Sequence, residues 1–113
     1  MNEITKMAKT LGQAISQHAR TQKLIDAQNI VNNDQDAAAL VTKFKAQLDK
    51  IKQLEASRQP IDKQQKQSLE STRIEINDNN ALTELTKCQM EFMEMMQNVK
   101  TTIDTHLGDV SGP

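Results

Sequence analysis

Aromatic residues are almost missing from this sequence. It contains no tryptophan or tyrosine, and its 113 residues include only two phenylalanines, Phe44 and Phe92. Its apolar share is also low: it is 36%, or roughly 39% when the three glycines are added, whereas globular chains usually reach about 45–50% with glycine counted. A chain of this length allows one domain, which buries only about two-thirds of the surface that the unfolded chain exposes. We therefore expect a thin core in a lone monomer and further burial through association with itself or a partner.

An excess of positive charge and long apolar runs are also missing. The 14 basic and 15 acidic residues leave a net charge of −1, which together with the lack of aromatic stacking platforms argues against direct nucleic-acid binding. No apolar run approaches the ~20 residues of a membrane span, and "MNEITKMAKTLGQ" lacks the apolar core and cleavage site of a signal peptide. The single cysteine, Cys88, cannot form an intrachain disulfide. These absences predict a cytoplasmic protein that does not bind membranes.

Glycine and proline are nearly absent from the interior of the chain. Gly12 is the only glycine before Gly108, and Pro60 is the only proline before Pro113. Good helix formers are frequent and strand signals are missing. The sequence therefore predicts an all-α fold: a self-associating helical bundle of about four to five helices, with long antiparallel helices.

Apolar residues at helical spacing, separated by polar breaks, predict the limits of the helices. Asn33 or Asp34 is expected to cap the third helix, Asp78 or Asn79 to cap the last helix, and Gly108 to end it. The predicted helices span about residues 3–17, 19–31, 35–57, 61 or 62 to 76, and 81–107. Together they predict one helical domain over residues 1–108, followed by a frayed tail over residues 109–113.

The stretch "CQMEFMEMMQNV", residues 88–99, holds four of the six methionines and the only cysteine. When the last helix is written in heptads with Leu82 at position a, its apolar face is wider than the contact between two helices requires. Methionine adapts to irregular contacts, so this face is the predicted assembly surface. Gln89 is a polar residue at a core position, where it can fix register and partner number, and it is the residue to mutate in a test of specificity. The predicted interface residues are Leu40, Phe44, Leu48, Ile51, Leu82, Leu85, Gln89, Phe92, Met93, Met95, Met96, Val99 and Ile103.

A soft-metal or redox site is the alternative interpretation of the same stretch. Methionine and cysteine are ligands for soft metals, but these sulfurs spread over several faces of the helix and no histidine joins them. An iron–sulfur cluster wants about four cysteines and zinc wants paired ligands, whereas this chain has one cysteine. We therefore expect no metal and no cofactor, and we interpret Cys88 as buried and inert. A reactive thiol, or a cluster shared between several chains, is left open.

No residue pattern indicates catalysis. The phosphate-binding, dinucleotide-binding, zinc-protease and nucleophile-elbow motifs are all absent. His18 and His106 lie near helix ends, where covering the core edge or complementing the helix dipole explains them. Capping is a sufficient explanation for the acidic residues at or near the breaks: Asp34, Asp36, Asp62 and Asp78. The sequence therefore predicts a protein that is not an enzyme.

The arrangement of these segments resembles the YlbF/YmcA/YheA family of small bacterial helical proteins. The resemblance covers about residues 4–107, and it is closest in length and ending to the YheA branch. Its short cues are "NDQDAAAL" at residues 33–40, "INDNNA" at residues 76–81 and "THL" at residues 105–107. None of these cues is a catalytic motif, so the resemblance rests on the whole arrangement.

The resemblance implies a helical fold that self-associates through its long helices and a cytoplasmic regulatory or adaptor role. Some members act with partner proteins in competence, sporulation and biofilm control and in messenger RNA processing, and are linked to an iron–sulfur-bearing complex. This chain departs from those members in having only Cys88, and it has Gln59 before Pro60 where the family often has a glycine-containing turn.

Two interpretations of function therefore stand beside the enzyme that the sequence disfavours. The first is an interaction module, a regulator or adaptor that forms a dimer or higher homo-oligomer and binds protein partners. The second is a helical-hairpin chaperone or holdase that uses the methionine-rich face on its clients. They differ in whether that face is covered in the resting oligomer. A metalloprotein would instead reveal itself by metal or a chromophore in purified material.

Overall fold

The structure is a computed structural model, and it describes residues 2–108. The described chain forms five α-helices and no β-strand, which confirms the predicted all-α fold and the number of helices. The helices are α1 (Glu3–Gln17), α2 (Ala19–Asn33), α3 (Gln35–Ala56), α4 (Lys63–Asn77) and α5 (Asn80–Leu107). The tail predicted over residues 109–113 lies outside the described residues.

The predicted helix ends agree with the observed ones to within two residues. The second helix was expected to end at Val31 but continues to Asn33, because asparagine costs only a fraction of a kcal/mol in a last helical turn. The fourth helix begins at Lys63 rather than at Ile61 or Asp62, since Asp62 is its extended N-cap residue.

Polar side chains at the breaks start three of the helices. Asp34 caps α3 by accepting from the backbone N–H three residues on, at 3.0 Å. Asp62 and Gln65 form a reciprocal capping box at α4, with bonds of 2.7 Å and 3.2 Å. Asn79 caps α5 in the same way, at 3.0 Å. These bonds satisfy amide groups that the first helical turn leaves without partners, and capping therefore explains the role of these residues.

Two helices end in a residue with left-handed backbone geometry. Gly108 follows α5 with φ of 77°, as predicted, and Arg58 follows α3 with φ of 57°. At the end of α3, the Gln59 N–H donates to the Leu54 carbonyl at 2.8 Å and the Arg58 N–H donates to the Glu55 carbonyl at 3.1 Å. This pair of bonds is the Schellman motif, which normally places glycine where this chain has arginine.

Replacing Arg58 with glycine is expected to raise the free energy of unfolding by about 0.5–1 kcal/mol. A side chain with Cβ costs roughly 1–2 kcal/mol in the left-handed region, and the greater freedom of glycine in the unfolded chain offsets part of the gain. Thermal melting followed by circular dichroism measures the change. Glycine at Ser57, where φ is −86°, is the control and should bring no gain. Equal melting temperatures for Arg58→Gly and the unmodified protein would contradict the predicted strain.

α3 and α4 pack along each other as an antiparallel hairpin. Lys43 Nζ lies 3.9 Å from the Glu75 carboxylate, while Gln47, one turn further along α3, donates to the carbonyl of Ser68, lower in α4. Because residue numbers rise along α3 as they fall along the facing side of α4, the two helices run in opposite directions. The short connection that contains Pro60 produces the hairpin that the sequence predicts.

The described chain comprises two compact units. Unit 1 contains the residues up to Asp26 and those from Thr86 onward, and unit 2 contains Ala27–Leu85. The division falls within α2 and within α5. The single helical domain expected over residues 1–108 stays a prediction.

A small apolar cluster forms the core of unit 2. Val31, Ala37 and Leu82, from α2, α3 and α5, are buried together. Ala37 is fully buried, as is Thr72 of α4, whose hydroxyl donates to the carbonyl four residues earlier at 3.0 Å. Partly buried apolar residues surround the cluster: Leu40, Val41, Ile76, Ala81 and Leu85. The core is thin, as the composition predicts.

Gln47 places an uncompensated polar atom in the α3–α4 hairpin. Its side-chain nitrogen makes a long 3.4 Å bond to the Ser68 carbonyl, whereas its buried carbonyl oxygen has no partner among the described residues. A buried acceptor without a partner costs about 1–3 kcal/mol.

Replacing Gln47 with leucine is therefore expected to raise the free energy of unfolding by about 1 kcal/mol. Urea unfolding measures this change. Leucine at the exposed Gln67 on α4 serves as the control and should alter stability by less than about 0.5 kcal/mol. A loss of stability in Gln47→Leu would mean that its oxygen is satisfied in solution.

Candidate interaction surface

α1 in unit 1 is an amphipathic helix whose apolar side is exposed. Asn2 caps it, with its side chain accepting from the Thr5 N–H at 2.8 Å. Ile4 and Met7 are 77% and 68% exposed, Leu11 is 38% exposed, and none of the α1 residues is buried. The sequence pattern predicts a helix face that packs against a core. This side of α1 is instead open for another surface to cover.

The C-terminal half of α5 in unit 1 carries a second apolar stripe. Met96 is 36% exposed, Ile103 is 52% exposed and Leu107 is 57% exposed, while Val99 between them is half-buried. Side chains this exposed leave much of the favourable free energy of apolar burial unrealised, at about 25 cal/mol per Å². Unit 1 therefore presents two apolar helix faces to its surroundings.

These two faces meet in a groove of about 520 Å³ within unit 1. Leu11 comes from α1, and Val99 and Ile103 come from α5. The groove is lined by Leu11, His18, Arg20, Met95, Asn98, Val99, Thr102 and Ile103. Arg20 is the one charged residue in this lining, so the groove is an apolar recess with a polar rim.

Hydrogen bonds to His18 and to the last turn of α1 hold the junction between α1 and α2. His18 has extended backbone geometry and donates its N–H to the Ile15 carbonyl at 3.1 Å, and its ring Nδ1 accepts from the Arg20 N–H at 3.0 Å. The Thr21 hydroxyl also donates to the Ile15 carbonyl, and the Gln22 side chain donates to a carbonyl near the end of α1 at 2.8 Å. His18 therefore acts as a helix-end residue, as predicted. In addition, its ring caps α2.

Arg20 fastens the start of α2 to α5 within unit 1. Its guanidinium donates to the backbone carbonyl of Glu91 at 3.0 Å and lies 3.9 Å from the Glu94 carboxylate. The Glu94 side chain is 66% exposed, so the ion pair adds at most a fraction of a kcal/mol. The role of Arg20 leaves no local pattern in the sequence, because its partners are about 70 residues away in the chain.

The predicted interface residues of unit 2 are buried or half-buried within the single chain. Leu40, Leu82 and Leu85 belong to the unit 2 core and its surroundings. Phe44 lies under the guanidinium of Arg73, 5.8 Å from the ring centre, a favourable cation–π geometry. The two remaining residues, Leu48 and Ile51, are half-buried. Their role in an interface between chains stays a prediction.

The predicted interface residues of unit 1 include the most exposed part of the set. Phe92 and Met95 are half-buried along with Val99, whereas Gln89 and Met93 are exposed along with Met96 and Ile103. Cys88 is buried, at 3% exposure, which agrees with the interpretation of a structural thiol. Sequence reasoning missed the exposure of Ile4, Met7 and Leu11 of α1. Helical spacing shows only that this face of α1 is apolar, and exposure depends on the position of the other helices.

Within residues 2–108, no three side chains among histidine, cysteine, aspartate and glutamate converge in a way that could hold a metal ion. The same part of the chain contains no helix with the length and apolarity to cross a membrane.

Comparisons with known proteins agree on one family. Residues 4–107 match the family model described as control of competence regulator ComK, YlbF/YmcA. The UPF0342 protein LBA1592 of Lactobacillus acidophilus (strain ATCC 700396 / NCK56 / N2 / NCFM) is 23% identical over 110 residues, which cover 97% of this chain and 95% of that protein.

A similar fold occurs in the X-ray crystal structure of Bacillus subtilis RicA in complex with RicF. The TM-score is 0.77 with 13% sequence identity, covering 88% of this chain and 89% of the other. The likeness at this identity is one of fold. Since the family model spans nearly the whole chain, this protein belongs to the YlbF/YmcA family of competence-control regulators.

Proposed function

We propose that this chain is a cytoplasmic regulatory protein without enzymatic activity that acts by binding proteins, a second copy of itself included, through exposed helix faces. The observation that carries the proposal is the amphipathic helix α1, whose apolar side chains Ile4, Met7 and Leu11 are left uncovered. A helix of this kind gains stability only when another surface covers it.

Membership of the family supports a link to competence control, and the resemblance extends this proposal to biofilm or RNA-processing control. RicA was crystallised in complex with RicF, so a protein with this fold is known in a complex with a partner. The resemblance of the chain's segments to the YheA branch supports placing it there within the family.

A chaperone or holdase is the second candidate, and the exposed methionines favour it. Met7, Met90 and Met93 are each at least 66% exposed, and flexible thioether side chains adapt to varied apolar partners. Under this alternative the apolar faces stay open in the resting protein.

Three measurements on the purified protein separate these functions. The regulatory proposal expects sedimentation as an oligomer, weak binding of a hydrophobic dye and no protection of unrelated unfolding proteins. Strong dye binding with suppressed aggregation of an unrelated protein would favour the holdase. A compact, stable monomer that shows neither property would rule out both.

A further inference from the structure

We infer that α1 of one copy docks along the C-terminal stripe of α5 in a second copy, and that the exchange is reciprocal. This inference rests on the proposed function, protein binding that includes self-association, and names the surface and the partner for that self-association. It concerns residues of α1 that the predicted interface does not include.

The two stripes match in length and in spacing. The α1 stripe contains Ile4, Met7, Leu11 and Ile15, and the α5 stripe contains Met96, Val99, Ile103 and Leu107. Both follow the same steps of three, four and four residues, and both extend about 16 Å at 1.5 Å per residue. Helices whose apolar residues repeat in this way can pack knobs into holes, with each side chain fitting between side chains of the other helix.

The charge on the two surfaces is also compatible. Spacing places Lys9 on the side of α1 opposite its stripe. Lys6 borders the same recess as Met7 and Leu11, at an exposed position where its ammonium group can stay in water. The groove beside the α5 stripe has Arg20 as its charged residue, and Glu94 and a backbone carbonyl already hold that guanidinium. An uncharged stripe can therefore enter the groove without leaving a charge unpaired.

The area available is enough for a stable dimer. Six side chains are at least one-third exposed on these stripes: Ile4, Met7, Leu11, Met96, Ile103 and Leu107. At about 200 Å² for a fully exposed side chain, they leave roughly 650 Å² uncovered in each chain, hence roughly 1,300 Å² in a reciprocal pair. Stable interfaces bury about 1,200–2,000 Å² in total. A twofold pair uses both stripes of both copies and closes, whereas a one-way contact would grow into a chain of molecules.

Sedimentation equilibrium of the full chain tests the docking helix. Met7→Asp is expected to raise the dimer dissociation constant at least about tenfold, because a carboxylate would have to enter the apolar contact. Gln13→Asp adds the same charge on the exposed opposite side of α1 and should leave the constant within about twofold. α1 has no buried residue, so both variants should keep the helical circular dichroism of the unmodified protein.

Cross-linking identifies what α1 touches. Met7→Cys chains carrying one tag are mixed with Ile103→Cys or Val99→Cys chains carrying another, covering both helix directions. If α1 of one copy docks on α5 of another, a disulfide should form between differently tagged chains in one of these mixtures. The unmodified chain controls for Cys88, which is buried.

The outcomes separate this inference from the proposed function. A dimer that Met7→Asp does not weaken, or disulfides only between two Met7→Cys chains, would overturn docking of α1 on α5 and leave protein binding through another face. If the protein is a monomer that still binds a different protein, docking between two copies is wrong but the proposed protein-binding function stands. If the protein associates with neither itself nor another protein, both the docking inference and the proposed function are wrong.

Discussion

Under the proposed self-association, replacing Met96 with aspartate is expected to shift the protein from oligomer to monomer. Met96 lies on the α5 stripe beside Val99 and Ile103, and over a third of its surface is exposed within the single chain. If this stripe is the assembly surface, association would bury a carboxylate without a partner. Such burial costs about 3 kcal/mol or more, equivalent to over a hundredfold in the dissociation constant. Sedimentation velocity across a range of protein concentrations measures the effect.

The matched control for this change is Gln97→Asp. Gln97 is exposed, lies about 100° around α5 from Met96 and does not line the groove, so the same charge should leave assembly intact. If both variants remain as oligomeric as the unmodified protein, the α5 stripe is not the assembly surface. If both become monomeric, net charge rather than the stripe controls association.

Truncating Leu82 to alanine is expected to lower the free energy of unfolding by about 3 kcal/mol. Leu82 is only 5% exposed and packs with Val31 and Ala37 in the core of unit 2. Deleting a buried leucine side chain removes its burial free energy and leaves a cavity, at about 2–5 kcal/mol. Only five apolar residues are buried among the described residues: Ala27, Val31, Ala37, Leu82 and Cys88. The loss is therefore a large share of a typical total of about 5–15 kcal/mol.

Urea unfolding at one fixed protein concentration measures this loss, because self-association makes apparent stability depend on concentration. Ile74→Ala is the control: Ile74 is 54% exposed, and its truncation should cost less than about 1 kcal/mol. Equal losses in the two variants would show that the cluster around Leu82 is not the main core of unit 2.

Local features of the chain were predictable because they depend on neighbours a few residues away. The start of α3 follows from Asp34 and the end of α5 from Gly108, since capping bonds and left-handed backbone geometry act within one helical turn. The break at Pro60 predicts the hairpin for the same reason. The arginine in the left-handed position after α3 was not foreseen, because nothing in "ASRQ" signals a Schellman ending without its usual glycine.

The candidate surface was predictable in part. The apolar face of α5 follows from its periodicity, and Met95, Met96, Val99 and Ile103 lie on the described groove or stripe. The participation of α1 was not predicted, because helical spacing shows that a helix has an apolar face but not whether another element covers that face. Arg20, which holds α2 to α5, also escaped prediction, since contacts between residues distant in the chain leave no local pattern.

The sequence alone determined that this protein is all-helical, where its helices begin and end to within about two residues, and which side of each helix is apolar. These properties arise from backbone preferences, capping groups and helical spacing, all within about two turns. Only the tertiary structure decided which apolar sides are covered. Ala37 and Thr72 are fully buried because neighbouring groups surround them, whereas Ile4 and Met7 on an equally apolar stripe are exposed. Burial depends on the position of other helices, and that position is a property of the folded chain as a whole.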